Sequence, residues 1–483
     1  MKYIVSVDQS TSSSKAFLID ANGMIVRRAA RPHHQYYPEP GIVEHDAQEI
    51  FENVGAIIDE VTDGIALSEV AALSIGNQRE TIVLWERETG IPRCRAIVWQ
   101  DIRGKAVCKQ LSSRNDEVRG KTGSDLSPYL PATKLAALFC ARPDLRREAE
   151  SGRLCAGTIE AYLVFRLSGG HFASDISNAS RTQLLNLSTL QWDRDILTML
   201  DLPECMLPER LLPSDAHFGE YKGIPITGVL GDSFATLFGQ GCHTPGTVKT
   251  SYGTGTSVMM NIGNRPIILN NGLTTAIAFG YRGQTYYEIE GNITCSGDTL
   301  VWLIKGMELF KDADELEALA KSVPDAQGVR LVPALSGLGA PFFDTEARAV
   351  ICGMSRGTTR AHIARAALES MAQRGADVFE VMRRDAGFDV QRLMVDGGGS
   401  KNDLLMQLQA DLANCELCCP SAGELTALGS AYMAGLTVGV YASFEAIPAR
   451  QIECRRYVPK MPPETREKMR AAWAKAIQCA QIG

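Results

Sequence analysis

Three short segments of this 483-residue chain gather residue types suited to holding a phosphate: Asp8 followed by Ser10 to Ser14, the run Gly253-Thr254-Gly255, and Asp396 followed by Gly397 to Ser400. Glycine and serine let backbone N–H groups come close to a phosphate oxygen, hydroxyls add donors, and a strand-end aspartate can hold the Mg²⁺ that a nucleotide brings. Each segment alone is ordinary turn chemistry. Their recurrence at matching places in two halves of one chain is the signal, and it suits a triphosphate. The chain contains neither a complete Walker A loop nor a dinucleotide fingerprint with its downstream acid, so the two commonest nucleotide sites are excluded.

Such turns need strands to hold them. Tyr3 to Val7 reads as a strand, Lys15 to Ile19 as a second, and Asn22-Gly23 as the hairpin turn before a third strand from Met24. Asp46 is placed to cap a helix, with Glu49 three residues on to reach back in a capping box. The pattern restarts after Thr244-Pro245-Gly246, with a strand Thr247 to Thr250, the Gly253-Thr254-Gly255 turn and a strand Ser257 to Ile262. Ile363, Ala366, Ala367, Met371 and Val378 recur at helical spacing, and Gly387 supplies a left-handed cap. A strand Leu393 to Val395 then runs into Asp396-Gly397-Gly398. The expected fold class is α/β in two domains, residues 1–245 and 246–483.

Composition limits the classes further. At 45% hydrophobic, 22% charged and 7% aromatic residues the chain reads as a globular protein, and its length exceeds what one core usually serves. The 49 basic and 56 acidic side chains give −7 with no long block of either sign, so nucleic acid is not an expected partner. Asp8 falls too early for a secretory leader, and no apolar run reaches the roughly 18 residues of a membrane span, so a cytoplasmic protein without membrane contact is expected. Thirteen cysteines, an odd number, then read as reduced thiols. The cluster Cys415, Cys418, Cys419 lacks a second ligand pair and is expected to be buried strand cysteines rather than a zinc site.

The segment Ala349-Val350-Ile351-Cys352-Gly353-Met354, continuing through His362-Ile363 to Ala366-Ala367-Leu368-Glu369, resembles the C-terminal signature of the FGGY family of sugar and polyol kinases. Gly41-Ile42-Val43-Glu44-His45-Asp46, Asn77-Gln78-Arg79-Glu80-Thr81, Val98-Trp99-Gln100, Asn178-Ala179-Ser180-Arg181-Thr182, Gly337-Leu338-Gly339-Ala340-Pro341 and Asp396-Gly397-Gly398 are similar to segments of its glycerol-phosphorylating members. The resemblance implies two actin-like, ribonuclease-H-like domains with ATP and acceptor meeting in the cleft between them. It implies that Asp8 helps to hold Mg²⁺ and that Thr11, Ser12, Ser13 and Lys15 form the first phosphate loop. Thr254, Gly255, Gly297, Gly398 and Asn402 complete the nucleotide site. On the acceptor side it implies Arg79, Glu80, Trp99, Tyr129, Asp232, Ser233 and Ser257, with Asp232 as the general base and a second Mg²⁺ ligand.

The implied reaction is ATP-dependent phosphorylation of a primary hydroxyl of a small polyol, glycerol first, by an enzyme expected to assemble as a dimer or tetramer. Departures from the family pattern concern the acceptor: Ser233 stands where glutamine is usual, Ser257 where an aromatic is usual, and Ala137 where a tryptophan follows Lys134. Val301 also replaces a glutamine on the nucleotide side. Two small side chains suit a longer polyol or a ketose such as erythritol or xylulose. A non-catalytic nucleotide-binding regulator is the remoter alternative, disfavoured by Asp232 together with an acceptor cluster.

Overall fold

The computed structural model describes residues 2–390, 392–421, 423–448 and 453–482. Two sheets carry the molecule. In the first, the strands Tyr3–Gln9, Ser13–Ile19 and Ile25–Pro32 run antiparallel to one another, Val70–Asn77 lies parallel to Tyr3–Gln9, and Ile224–Gly231 lies parallel to Val70–Asn77. Counted along the chain the order is 3-2-1-4-5. The second sheet repeats it with Val248–Tyr252, Thr256–Gly263 and Gln284–Ile293 antiparallel, then Arg392–Gly397 and Glu416–Pro420 parallel. An edge strand is added at each side of it, Thr274–Tyr281 and Cys454–Tyr457. Three antiparallel strands followed by two parallel ones, twice, is the ribonuclease-H-like arrangement that the family resemblance implied.

The local signals mostly resolve as read. Gly23 turns the hairpin between Ser13–Ile19 and Ile25–Pro32 at φ +77°, and the helix Arg360–Ala386 ends on Gly387 at φ +73°, backbone angles that side chains with a Cβ disfavour. Asp46 caps the helix Ala47–Thr62 by accepting from Gln48 and Glu49 N–H. Glu49 does not reach back as a capping box would require: its carboxylate accepts instead from the backbone N–H of His34 and meets that ring at 2.8 Å. Cys415, Cys418 and Cys419 are buried free thiols at or in the strand Glu416–Pro420. Among the described residues no helix is long and apolar enough to cross a membrane.

The helix Leu425–Thr437 comes from the second half of the chain yet packs on Val70–Asn77, Ile224–Gly231 and the helix Asp232–Gly239. Its approach is close: a Cβ on Gly429 would lie 1.8 Å from the Ala235 carbonyl oxygen. Phe234, Leu237, Phe238, Leu428, Ala431, Met259 and Ala276 share one buried cluster. The two sheets are therefore joined by a packed apolar seam, and the cleft lies beside it.

Candidate active site

The cleft is built by strand ends. Gln9 and Gly231 both stand opposite Asn77 in the register of the first sheet, so three parallel strands stop at one level. Asp8 precedes the first stop, Arg79 and Glu80 follow the second, and Asp232 follows the third as the first residue of its helix. Asn77 is locked to Asn178 by two reciprocal amide hydrogen bonds of 2.8 and 3.1 Å. That bond also fixes the short helix Ile176–Ser180, which delivers Arg181.

These side chains form one ion network. Arg79 donates two hydrogen bonds to Glu290, at 3.1 and 3.0 Å, and its Nε lies 3.4 Å from Asp232. Arg181 donates to Glu80 at 2.6 Å, and the Ser257 hydroxyl donates to Glu290 at 3.0 Å. Glu80 sits at φ +62°, in the sparsely populated left-handed region, a conformation held only where surroundings over-determine it. Burial pushes Glu290 up, but Arg79 and Arg181 outweigh it and hold that carboxyl far below its usual range. Asp232 is raised, first by burial, with Arg79 opposing and Glu80 adding. A carboxylate raised in this way is a better proton acceptor near neutrality than a solvated one.

The loops expected to hold phosphate converge on the same opening. Ser10 closes the first turn on the Ser13 carbonyl, leaving Ser12 exposed and Thr11 and Ser13 half-buried. Thr254 is exposed and Gly255 half-buried at the second hairpin turn, where a Cβ on Gly255 would sit 2.5 Å from the Ile293 carbonyl oxygen. Gly297 donates to Gly253 O at 3.1 Å, and Gly398 is exposed with open space before it. Asp8 is pushed up to about 7, chiefly by burial, with Lys15 opposing and Asp232 and Glu424 reinforcing. The carboxylates bearing on it are Asp232 and Glu424, and among the described residues no group of three or more His, Cys, Asp or Glu is poised to cage a metal. One or two carboxylates completed by substrate phosphates is how Mg²⁺ is commonly held, so the donor set fits it.

Models of the FGGY family of carbohydrate kinases match residues 3–239 with the N-terminal domain and 248–438 with the C-terminal domain. The chain belongs to the FGGY family of carbohydrate kinases. It is 46% identical to a glycerol kinase of Citrifermentans bemidjiense and 43% identical to one of Burkholderia ambifaria, each time over 99% of this chain and 98% of the relative. The crystal structure of Plasmodium falciparum glycerol kinase with ADP superposes with a TM-score of 0.95 at 32% identity, covering 100% of this chain and 99% of the other. A xylulose kinase of Lactobacillus acidophilus, at 22% identity and a TM-score of 0.88, shares the fold.

In this FGGY kinase the structure brings Asp8, Arg79, Glu80, Asp232, Ser233 and Ser257 to one cleft. Trp99, 38% exposed, donates its indole N–H to Thr11 at 2.9 Å, so an aromatic of the expected acceptor side touches the first phosphate loop directly. Lys134 is buried and donates to the carbonyls of Val98 and Trp99 at 2.8 and 3.0 Å; burial lowers it to about 7 against Glu80 and Asp101. Tyr129 is exposed on the loop before the helix Pro131–Ala141. Lys15 pairs with Glu424 at 3.0 Å and stands 4.0 Å from Asp8. Asn402 spends its carbonyl oxygen capping the helix Asp403–Ala413, where it accepts from Leu405 N–H at 2.9 Å. Val301 is half exposed.

Three charged neighbours of the cleft were not singled out from the sequence: Glu290, Arg181, and Lys249, whose charge bears on Asp232. The available signal was the pair Glu288 and Glu290, two residues apart and so on one face of a strand. Arg181 lies inside a segment already noted for its resemblance.

Proposed function

We propose that this enzyme transfers the γ-phosphoryl group of Mg-ATP to a primary hydroxyl of glycerol. The observation that carries the reading is Asp232: a half-buried carboxylate at a strand end, 3.4 Å from Arg79 Nε and raised above its ordinary value by burial, in the same cleft as Asp8 and the hydroxyl-rich turn. Support also comes from the near full-length identity to glycerol kinases. Asp232 takes the proton of the attacking hydroxyl, Arg79 and Glu80 bond the neighbouring hydroxyls, and Trp99 and Tyr129 flank the carbons with Ser233 and Ser257. Thr11, Ser12, Ser13, Lys15, Thr254 and Gly255 receive the phosphates, with Gly297, Gly398 and Asn402 on the nucleoside side. Asp8 and Asp232 are the side chains that would hold Mg²⁺, which would supply charge neutralisation for the phosphates. Phosphoryl transfer asks for positioning and electrostatics more than covalent work, and closure of residues 1–245 on 246–483 excludes competing water.

A longer polyol or ketose is the second reading, favoured by the small Ser233 and by Ser257, whose hydroxyl is turned onto Glu290 rather than covering acceptor carbons. ADP release measured across three- to seven-carbon polyols and ketoses, with no-acceptor controls, separates the two: the highest kcat/KM is expected with glycerol, and a higher value for a longer acceptor overturns that choice. Asp8→Ala is expected to weaken Mg-ATP use for every acceptor alike; a loss confined to one acceptor contradicts its role. Sedimentation of the purified enzyme tests the expected dimer or tetramer.

A further inference from the structure

Glu288 and Glu290 lie two residues apart on one face of the strand Gln284–Ile293, roughly 7 Å from each other along it. Their surroundings differ sharply. Glu290 accepts from Arg79 and Ser257, whereas Glu288 is fully buried and neither of its carboxyl oxygens has a hydrogen-bond partner among the described residues. Its cross-strand neighbours do not help. Ala276 has no polar side chain, and Asn261 is taken at both ends, donating to Cys242 O at 3.0 Å and accepting from Gly263 N–H at 2.8 Å.

The charged groups bearing on Glu288 are Glu290 on its own strand, Arg79 after Val70–Asn77, Arg181 after the helix Ile176–Ser180, and Lys249 on Val248–Tyr252. Arg79 is committed to Glu290 and Asp232, and Arg181 to Glu80. Lys249, itself buried, has a side-chain hydrogen bond to Met259 Sδ at 3.7 Å. Three cations thus face four acids, Glu80, Asp232, Glu288 and Glu290. A buried carboxylate with no partner is strongly disfavoured against its protonated form.

We propose that Glu288 is a positioning residue of the acceptor site that must carry a proton for the site to bind its acceptor, because once ionised it competes with Glu290 and Glu80 for Arg79 and Arg181. The proposal rests on the acceptor reading given above. Burial first and Glu290 second push Glu288 well above the ordinary carboxyl range, against Arg181, Arg79 and Lys249. The sign follows. The unfolded chain releases this proton near the ordinary value of 4.5 while the folded chain keeps it. The folded state therefore loses stability as pH rises from there through the folded value, and the acceptor site loosens beyond it.

Glu288→Gln keeps the shape and removes the titration. In the wild type the KM for the acceptor should rise about tenfold per pH unit above the folded value, with kcat changing less. In Glu288→Gln that rise should vanish, and its Tm should exceed that of the wild type by a margin that widens with pH. Glu288→Asp should retain an alkaline rise. Infrared difference spectra should show a protonated-carboxyl C=O band in the wild type that bleaches on alkalinisation and is missing in Glu288→Gln; if that variant does not fold, Glu288→Met serves for all three readouts. An unchanged alkaline rise in the neutral variant, a Tm below wild type at alkaline pH, or no such band overturns the proposal. If no acceptor supports ADP release, the kinase reading fails on its own, while the infrared and melting results still decide the state of Glu288.

Discussion

Asp232→Asn should lower turnover by about 10² to 10⁴-fold while nucleotide binding survives, since the amide keeps the shape of the side chain but accepts no proton from the attacking hydroxyl. The loss should fall on kcat and on kcat/KM together, the pattern of an interaction made in the transition state. Asp232 also faces Arg79 Nε at 3.4 Å and takes the Ser233 N–H at 2.6 Å. An asparagine retains the second contact through its carbonyl oxygen, so a change in fold is not expected and thermal melts should stay close to wild type. The measurement is single-turnover phosphoryl transfer alongside equilibrium binding of ADP. Near wild-type turnover would remove Asp232 from the role of base, and lost ADP binding would move it to the nucleotide side.

What the sequence made legible follows from how local each signal is. The hairpin at Asn22-Gly23, the Gly387 helix end and the two strand–turn–strand repeats are set by adjacent residues, and the structure shows them where composition and spacing placed them. The Asp46 cap is equally local. Its box partner was misread because His34, 15 residues earlier in the chain, offers Glu49 a closer donor than its own helix does. The ion network was harder to read. Glu290 meets Arg79 across 211 residues of sequence, and Arg181 meets Glu80 across 101. Nothing in either segment alone says that a strand of the second sheet delivers the counter-charge for a turn of the first. The acids Glu288 and Glu290 were not singled out from the sequence, and only burial and partner geometry separate the paired one from the unpaired one.

On the proposed function, the same geometry would let the two substrates share one site. Trp99 hangs between them, its backbone held by Lys134 and its indole on Thr11. The first phosphate loop and the acceptor wall are therefore one hydrogen-bonded unit, reinforced by Gln78, which donates its side-chain amide to Gln9 at 3.1 Å. Thr11 accepts from the Trp99 indole and keeps its own O–H to donate, so on the proposed reading a phosphate at this loop would touch the residue that holds Trp99. Lys15 provides a second link, since its partner Glu424 belongs to the other half of the chain.

Arg79→Met should have the largest effect on the fold of any single change in the cleft. Glu290 is fully buried and depends on both guanidinium hydrogen bonds, and removing one partner of a buried pair costs about 3–5 kcal/mol because the other charge is left uncompensated. Ser257 donates one hydrogen bond to Glu290 and Arg181 stands 3.9 Å away, too little to replace a bidentate cation. Asp232 loses its nearest positive charge in the same step, so acceptor KM should rise steeply alongside the fall in Tm. The double variant Arg79→Met with Glu290→Met removes both charges and should recover most of the stability, as matched apolar replacements of buried pairs often do. It should not recover acceptor binding, because the guanidinium that faces Asp232 is still missing. Melting curves and acceptor KM for the three proteins separate the two roles. A double variant as unstable as the single one would show that the pair is not what Arg79 contributes to folding, and an unchanged KM in Arg79→Met would leave the acceptor to be held by Glu80 and Asp232 without it.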